Sequence, residues 1–542
     1  MTAQVTTPYR PAQEEGRDGF GQLVRAEWTK FRTVRGWVIG LIVGALVMVL
    51  VGLFAAGQST SSCQNGPGAP VQHGLACLPP VPLGPGGEAV TDSFYFVHQP
   101  LAGNGSLTVR VTSLAGLHAA GNAQAGQAGQ AGQGPLAGMV KGTVPWAKAG
   151  IIIKASTRPG SAYAAMVVTG AHGVRMQYGY TQDIAGPAGG MTAASPRWLR
   201  LTRAGDTITG YASADGIRWT RVGTARLAGL PDTAQAGLLT TSPQYSVTSE
   251  GFVGSSTQGG PSQATAVFDH VRLQGRPSGG GWTGGPVGGG SGLPASTVGF
   301  HQAAGRFTVS GSGDIAPLVA GPGAALSDGT IEDHLAGTFA GLIAVGVIGA
   351  MFITAEFRRG LIRTTLAASP RRGRVLAAKS LVIGSVTFVL GLIAAAVAVI
   401  AGTPLSHNSG EYVLPVPWLT ELRVVAGTAL LLAVSAVLAL AIGSIVRRSA
   451  VAVTAMIGLI VVPYLLALSV LPLGAADWLL RLSPAAAFAL QQSVPQYPQV
   501  SAIYSPVAGY FPLAPWAGFA VLCGWAALAL GLAVFLLRRR DV

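Results

Sequence analysis

The sequence predicts a mixed membrane protein: six transmembrane α-helices, with an extracytoplasmic all-β sandwich inserted between the first and the second. Three observations predict it. Six uncharged apolar runs are each long enough to cross roughly 30 Å of hydrocarbon. Only 10% of the 542 residues are charged, whereas a soluble domain carries about 25%. The stretch 57–334, between the first run and the second, alternates apolar with polar residues and is punctuated by Gly and Pro. A mean hydropathy of +0.46 fits this class and excludes a purely soluble enzyme. Three cysteines exclude a disulfide-dense scaffold.

Residues 1–35 precede the first span. Within them, Leu23-Val24-Arg25-Ala26-Glu27-Trp28-Thr29-Lys30-Phe31-Arg32 gathers Leu23, Val24, Trp28 and Phe31 on one helical face, with Arg25, Lys30 and Arg32 around it. That pattern predicts an interfacial helix with Trp28 at headgroup level. The first span is 36–56, too late and too long to be the core of a signal peptide, the competing reading. Gly36, Gly40 and Gly44 recur every four residues along it and would let another helix approach closely; the plainer alternative is that glycine is common in membrane helices. The remaining spans are 335–355, 380–402, 424–446, 450–473 and 514–537. The fifth contains Pro463, which removes a backbone hydrogen bond and is expected to kink it. None of the six contains Asp, Glu, Lys or Arg, each of which costs about 2.5–3.5 kcal/mol at a helix centre.

The insert divides into a Cys-containing segment 57–89, a sandwich 90–275, and a Gly-rich linker and return segment 276–334. Alternation at period two over 106–112, 174–178 and 266–273 predicts strands with one buried face. Asp215-Gly216, between apolar-alternating runs 207–213 and 217–222, predicts a hairpin closed by a two-residue type I′ turn. The stretches 121–134 and 277–292 are of low complexity and are expected to be a loop and a flexible linker. Cys63 and Cys77, both on the oxidising side, would close a short loop with a disulfide contributing about 3 kcal/mol; two free cysteines are the alternative. Tyr211 and Trp219 are candidates to stack on a sugar, though strand aromatics more often serve packing. The eight His show no metal-ligand spacing, so no metal site and no catalytic residue are expected.

Charge fixes the orientation. The N-terminus, the 356–379 loop, Arg447 with Arg448, and the tail 538–542 together hold 18 Lys and Arg against 6 acids. The long 57–334 segment, the loop 474–513 and the remaining connection hold 17 against 15. By the positive-inside rule both termini are cytoplasmic and the sandwich is extracytoplasmic, in a plasma membrane. The overall charge of +14 therefore reports topology, and no nucleic-acid partner is expected.

Two resemblances follow from particular residues. Trp198-Leu199-Arg200-Leu201, Gly205-Asp206, Gly210-Tyr211, 213–219, Gly237-Leu238 and Phe268-Asp269-His270-Val271 resemble the C-terminal half of concanavalin-like jelly-roll domains, some of which bind glycans. The run Arg25-Ala26-Glu27-Trp28-Thr29-Lys30-Phe31-Arg32, together with Glu356-Phe357-Arg358-Arg359-Gly360 through Leu366, Pro370-Arg371-Arg372 and Ala378-Lys379, resembles the permease subunit of ABC transporters of the type-two, exporter-like class. Trp478-Leu479-Leu480-Arg481-Leu482-Ser483-Pro484 resembles the short outer-leaflet helix of that class. The resemblance implies that 356–375 is a coupling helix docking on a separate ATPase, with Glu356, Arg358, Arg359, Arg363, Arg371 and Arg372 as contacts. It also implies a homo- or heterodimer of permease subunits, and ATP and Mg bound on the ATPase rather than here. The chain itself has no Gly-rich run ending in Gly-Lys-Ser/Thr, so it is expected not to be an enzyme and to need no cofactor. Uncharged spans favour a hydrophobic or amphipathic cargo, and the resemblance implies its export. The alternative is a multi-pass surface receptor or adhesin whose sandwich binds glycan or protein.

Overall fold

The computed structural model describes residues 19–58, 81–120, 136, 138–188, 195–250, 255–277, 281–289, 293–320, 329–361, 371–409 and 412–539. Its helices are α1 (Phe20–Thr33), α2 (Arg35–Gln58), α3 (Thr338–Arg358), α4 (Arg372–Asn408), α5 (Trp418–Val446), α6 (Ser449–Ser469), α7 (Leu473–Leu482) and α8 (Pro515–Arg539). Among them α2, α3, α4, α5, α6 and α8 are long and apolar enough to cross a membrane. Two differ from expectation. The helix α4 begins at Arg372 rather than at Ser380 and runs through Pro404 to Asn408. The fifth span is the single helix α6, which ends at Ser469, a few residues short of the expected Leu473; the chain turns at Pro472, which caps α7.

The helix α5 lies at the centre, 67% buried over its apolar window against 22% for α2 and for α8. It packs on α3, α4, α6 and α8. Small residues set the closest approaches. A Cβ on Gly349 of α3 would meet the backbone oxygen of Ala436 at 2.5 Å. On α2, a Cβ at Gly44 would lie 2.4 Å from Ala344 Cβ and one at Gly40 would lie 3.1 Å from Ile348 Cδ1, both on α3. Gly36, expected on the same packed face, looks into open space. The face that meets α3 therefore starts one turn later.

Between α2 and α3 the chain forms an antiparallel β domain. Its strands are β1 (Val90–Asp92), β2 (Phe94–Ala119), β3 (Met139–Lys141), β4 (Lys148–Lys154), β5 (Tyr163–Thr169), β6 (Val174–Tyr178), β7 (Gln182–Ala185), β8 (Arg197–Ala204), β9 (Thr207–Ser213), β10 (Thr220–Arg226), β11 (Thr233–Thr241), β12 (Tyr245–Glu250), β13 (Ser255–Gly260), β14 (Ser262–Pro277), β15 (Thr283–Val287), β16 (Gly299–Ala303), β17 (Arg306–Gly311) and β18 (Ile315–Pro317). The long strand β2 belongs to two sheets. Residues 94–102 pair with β11 and β15, and the sheet continues through β4, β5, β6 and β7. Residues 105–118 pair with β14 and β8, and that sheet continues through β9 and β10. The two sheets close on one core, in which Val97, Leu107, Val109, Ile151, Leu199, Leu201 and Phe268 are fully buried.

The alternation over 106–112 is observed as expected: Leu107, Val109 and Val111 are buried, Thr108 and Arg110 half-exposed. Over 266–273 it is broken by a register shift between Asp269 and Arg272, where His270 has φ +50°. The hairpin at Asp215-Gly216 exists, but its turn is longer than two residues: Ala212 pairs with Thr220. The carboxylate of Asp215 accepts the backbone N–H of Ile217 and of Arg218, each at 2.8 Å, which caps an open loop instead of a type I′ turn. Those bonds hold its carboxyl down at about 2.

Two buried ion pairs pin the ends of the insert to one strand. Lys154 of β4 donates to Asp92 at 2.7 Å in β1, where the chain comes in, and Lys148 of the same strand donates to Asp314 at 2.6 Å, where it leaves. The incoming and outgoing strands β1 and β18 also pair directly, Asp92 opposite Ile315. Burial pulls the Lys154 ammonium down and the Asp92 carboxylate opposes it, leaving it below its ordinary value.

Candidate coupling site

At the end of the bundle that carries both termini, α1, α3 and α4 meet over a buried cluster of charge. The amphipathic helix α1 turns Phe31 and Glu27 inward, both almost fully buried. Glu356, in the last turn of α3, and Lys379, two turns into α4, face them. Lys379 Nζ donates to Glu27 Oε2 at 2.6 Å and to Glu356 Oε1 at 2.7 Å. Lys30 Nζ closes the ring, 2.8 Å from Glu27 Oε1 and 3.3 Å from Glu356 Oε1. Two ammonium groups and two carboxylates thus balance, which is what makes an ionised group tolerable in so apolar a place. An aromatic wall completes the site. Lys379 Nζ lies 4.6 Å from the centroid of Phe352, against which Phe31 and Trp37 stand edge-on at 5.7 and 5.2 Å. Burial lowers the Lys30 ammonium, but hydrogen bonding and charge from Glu27 and Glu356 outweigh it and leave it raised.

Glu356 is the main departure from expectation. Its carboxylate turns into the protein and is engaged by Lys379 and Lys30, so it is not a free contact for a partner. Arg358 and Arg359 are exposed beyond it, and Gly360, at φ +69°, ends the helix. Arg371 is exposed, while Arg372 donates to the backbone oxygen of Leu537 and so joins the start of α4 to the end of α8. Arg363 lies outside the described residues, as do Cys63, Cys77 and the stretch 121–134. Trp28 and Arg32 are on the exposed side of α1. Pro463 is buried within α6, which the structure carries as one helix. In the β domain, Tyr211 is half-buried and Trp219 is covered by the Arg200 guanidinium at 3.9 Å. Lys379 and Glu27 were the residues that sequence reasoning left out of the site.

The family described as ABC-2 family transporter protein matches residues 164–542, from β5 through α8. The chain belongs to the ABC-2 transporter family. It is a membrane component of a transporter, and the family implies an ABC ATPase as its partner. No curated protein matches it. Among solved structures it is similar to a functionally unknown protein from Saccharomyces cerevisiae, with 13% identity over 34% of this chain and 75% of that one and a TM-score of 0.17. It is similar also to scytalido-glutamic peptidase with a peptide-based transition state analog, with 8% identity over 41% of this chain and 98% of that one and a TM-score of 0.21. Such low scores carry no functional argument.

At the opposite end, this ABC-2 chain folds a loop back into its own helices. After α7, the 3-10 helix Pro484–Gln491 is buried throughout and packs on α5 and α8. Phe488 sits between Phe339 and Tyr464, at 5.2 and 4.2 Å. Gln491 Nε2 donates to Thr338 Oγ1 at 3.0 Å and Thr428 Oγ1 at 3.1 Å, giving a polar group partners where there is no water. Arg423 donates to the backbone oxygen of Gln492 at 2.6 Å. Beside it Glu332 Oε1 accepts the Ser493 N–H at 3.2 Å, while Oε2 is buried without a hydrogen bond. Burial, opposed by Ser493 and reinforced by Asp333, pushes the Glu332 carboxyl up to about 7. The β domain rests on the same loop: Ala320 N–H donates to the Tyr510 hydroxyl at 3.1 Å, and Gln499 to the backbone oxygen of Thr181 at 3.1 Å.

Proposed function

We propose that this chain is one protomer of a dimeric permease that exports a hydrophobic or amphipathic substrate, driven by ATP hydrolysed with Mg on a separate cytoplasmic ATPase. In this reading both termini and the 356–379 region face the cytoplasm and the β domain faces outward, in a bacterial plasma membrane. The charge asymmetry, 18 basic residues against 6 acids on the terminal side, supports that orientation. The observation that carries the coupling role is the buried Glu27, Glu356 and Lys379 cluster. Because Lys379 holds α3 and α4 together beside α1, a push on the connection between them would move all three as a unit and bias the bundle between two arrangements. Of the expected contacts among the described residues, Arg358, Arg359 and Arg371 are exposed and are the charges we assign to meeting the ATPase. The middles of the spans carry no charge to pair with an ionic cargo.

The test is reconstitution with the partner ABC ATPase. Replacing Arg358 and Arg359 together by Ala should abolish permease-stimulated ATPase activity while leaving membrane insertion and thermal stability unchanged. A cysteine at position 359 should cross-link to the ATPase. Full stimulation by the double variant, with no cross-link, would refute the docking role.

A further inference from the structure

The outer face of the sheet formed by β14, β2, β8, β9 and β10 carries a row of side chains fixed by register. Arg272 lies opposite Thr108, Thr108 opposite Arg200, Arg200 opposite Tyr211, and Tyr211 opposite Arg221. Neighbouring strands are about 4.8 Å apart, so the three arginines stand at intervals of about 10 Å along a line. Arg272 and Arg221 are exposed, and Arg200 is half-buried. Among the described residues none of the three has an ion-pair partner, whereas Arg110, Arg175 and Arg218 in the same domain each have an aspartate.

The central arginine is held in place. Its guanidinium lies on the Trp219 ring at 3.9 Å, and its Nε donates to Thr108 Oγ1 at 3.1 Å. Two residues along each strand, and three along β10 where it bulges, runs a second row, Gln274, Ser106, Thr202, Thr209 and Thr224, made entirely of amide and hydroxyl groups. The observed contacts of the domain with the helices are made at its incoming and outgoing ends and at Thr181, away from this face.

We propose that this face binds an acidic polysaccharide, laid across the strands with carboxylates over Arg272, Arg200 and Arg221 and sugar hydroxyls on the adjacent polar row. The regular interval of unpaired arginines calls for regularly spaced acids, as on alternate sugars of an extended chain. The hydroxyl and amide row, with Tyr211 at the middle of the basic one, fits a sugar backbone better than bare phosphate. Guanidinium groups bind carboxylates through two parallel N–H donors, so geometry as well as charge selects the ligand.

The choice of a sugar polymer rests on the external placement of the domain proposed above. Binding is therefore measured on purified full-length protein in detergent, where neither orientation nor transport enters, and a failure here leaves that placement standing. The probes are a hyaluronan decasaccharide, a chito-oligosaccharide of equal length as its uncharged counterpart, inorganic polyphosphate, and phosphatidylglycerol added as mixed micelles. Hyaluronan should bind at low salt at least tenfold more tightly than the other probes and weaken as salt screens the arginines. The triple variant Arg200→Gln, Arg221→Gln, Arg272→Gln should lose at least tenfold in affinity. Should removal of the packed Arg200 spoil folding, the exposed pair Arg221→Gln and Arg272→Gln carries the same expectation with a smaller loss. Equal binding of the uncharged oligosaccharide, tighter binding of polyphosphate or phosphatidylglycerol, or arginine variants that bind hyaluronan as the parent does would each overturn the proposal.

Discussion

The two ends of the helical bundle each bury acidic groups, and they handle them in opposite ways. At the end bearing the termini, Glu27 and Glu356 are answered by Lys379 and Lys30, and three helices are joined by the result. At the β-domain end, Glu332 accepts a backbone N–H, has no lysine or arginine within ion-pair distance among the described residues, and stands beside an arginine that donates to a carbonyl. In the first arrangement each charge is compensated by another. The second stays buried by giving its charge up as pH falls through about 7. A compensated cluster is a lock across three helices, and a lone carboxyl is a catch that protons set.

The sharpest way to break this contrast is to unbalance the lock. Lys379→Met leaves two buried carboxylates facing one half-exposed lysine and should destabilise the bundle by about 3–5 kcal/mol, seen as a large drop in melting temperature in detergent. Adding Glu27→Gln and Glu356→Gln to that variant should restore most of the loss. A Lys379→Met protein as stable as the parent would mean that the cluster holds nothing together.

The catch is tested by pH. Because the Glu332 carboxyl is raised in the folded protein, its contribution is fully present below the ordinary glutamate range, near pH 4.5, and is lost as pH rises through about 7. The change amounts to roughly 3 kcal/mol at most. The protection factors against hydrogen exchange over 484–511, which leave out the base-catalysed rise of intrinsic exchange, should fall between pH 6 and pH 8, and Glu332→Gln should remove that fall. An identical pH profile in the variant would assign the effect elsewhere.

The smallest effect separates the two lysines of the lock. Lys30 is 40% exposed at its side chain where Lys379 is fully buried, so Lys30→Met should cost less than about 1 kcal/mol. A loss equal to that of Lys379→Met would show that water does not screen this side of the cluster.

The spans were legible because hydrocarbon tolerates no charge, and their apolar runs announce themselves. The lock was not. Lys379 falls where a lysine is expected to lie outside the membrane, and its partner Glu27 is 352 residues away. One signal was present: Glu27 is the only acid in 20–35, and Glu356 the only acid in 356–379, both in stretches otherwise basic. An acid kept amid so much positive charge invites the question of which cation it faces. The buried 484–491 segment was unreadable for another reason, since a run of seven apolar residues that begins with proline and ends at Gln491 gives neither a helical stripe nor a strand alternation. At Asp215 the dipeptide signalled the reversal of the chain but not its length, because the carboxylate supplied the turn's hydrogen bonds in place of backbone.

The pairing of β1 with β18 has a consequence for how such a protein could arise. Since Asp92 lies opposite Ile315, the ends of a very long loop stand one strand-width apart, and the lysines of β4 hold both of them. Seen from the helices, the domain is therefore attached like a cassette in a socket: α2 and α3 need be no farther apart with it than without it. A lineage can exchange or discard such a cassette without redesigning its host, and the β domain becomes free to change faster than the helices it rests on.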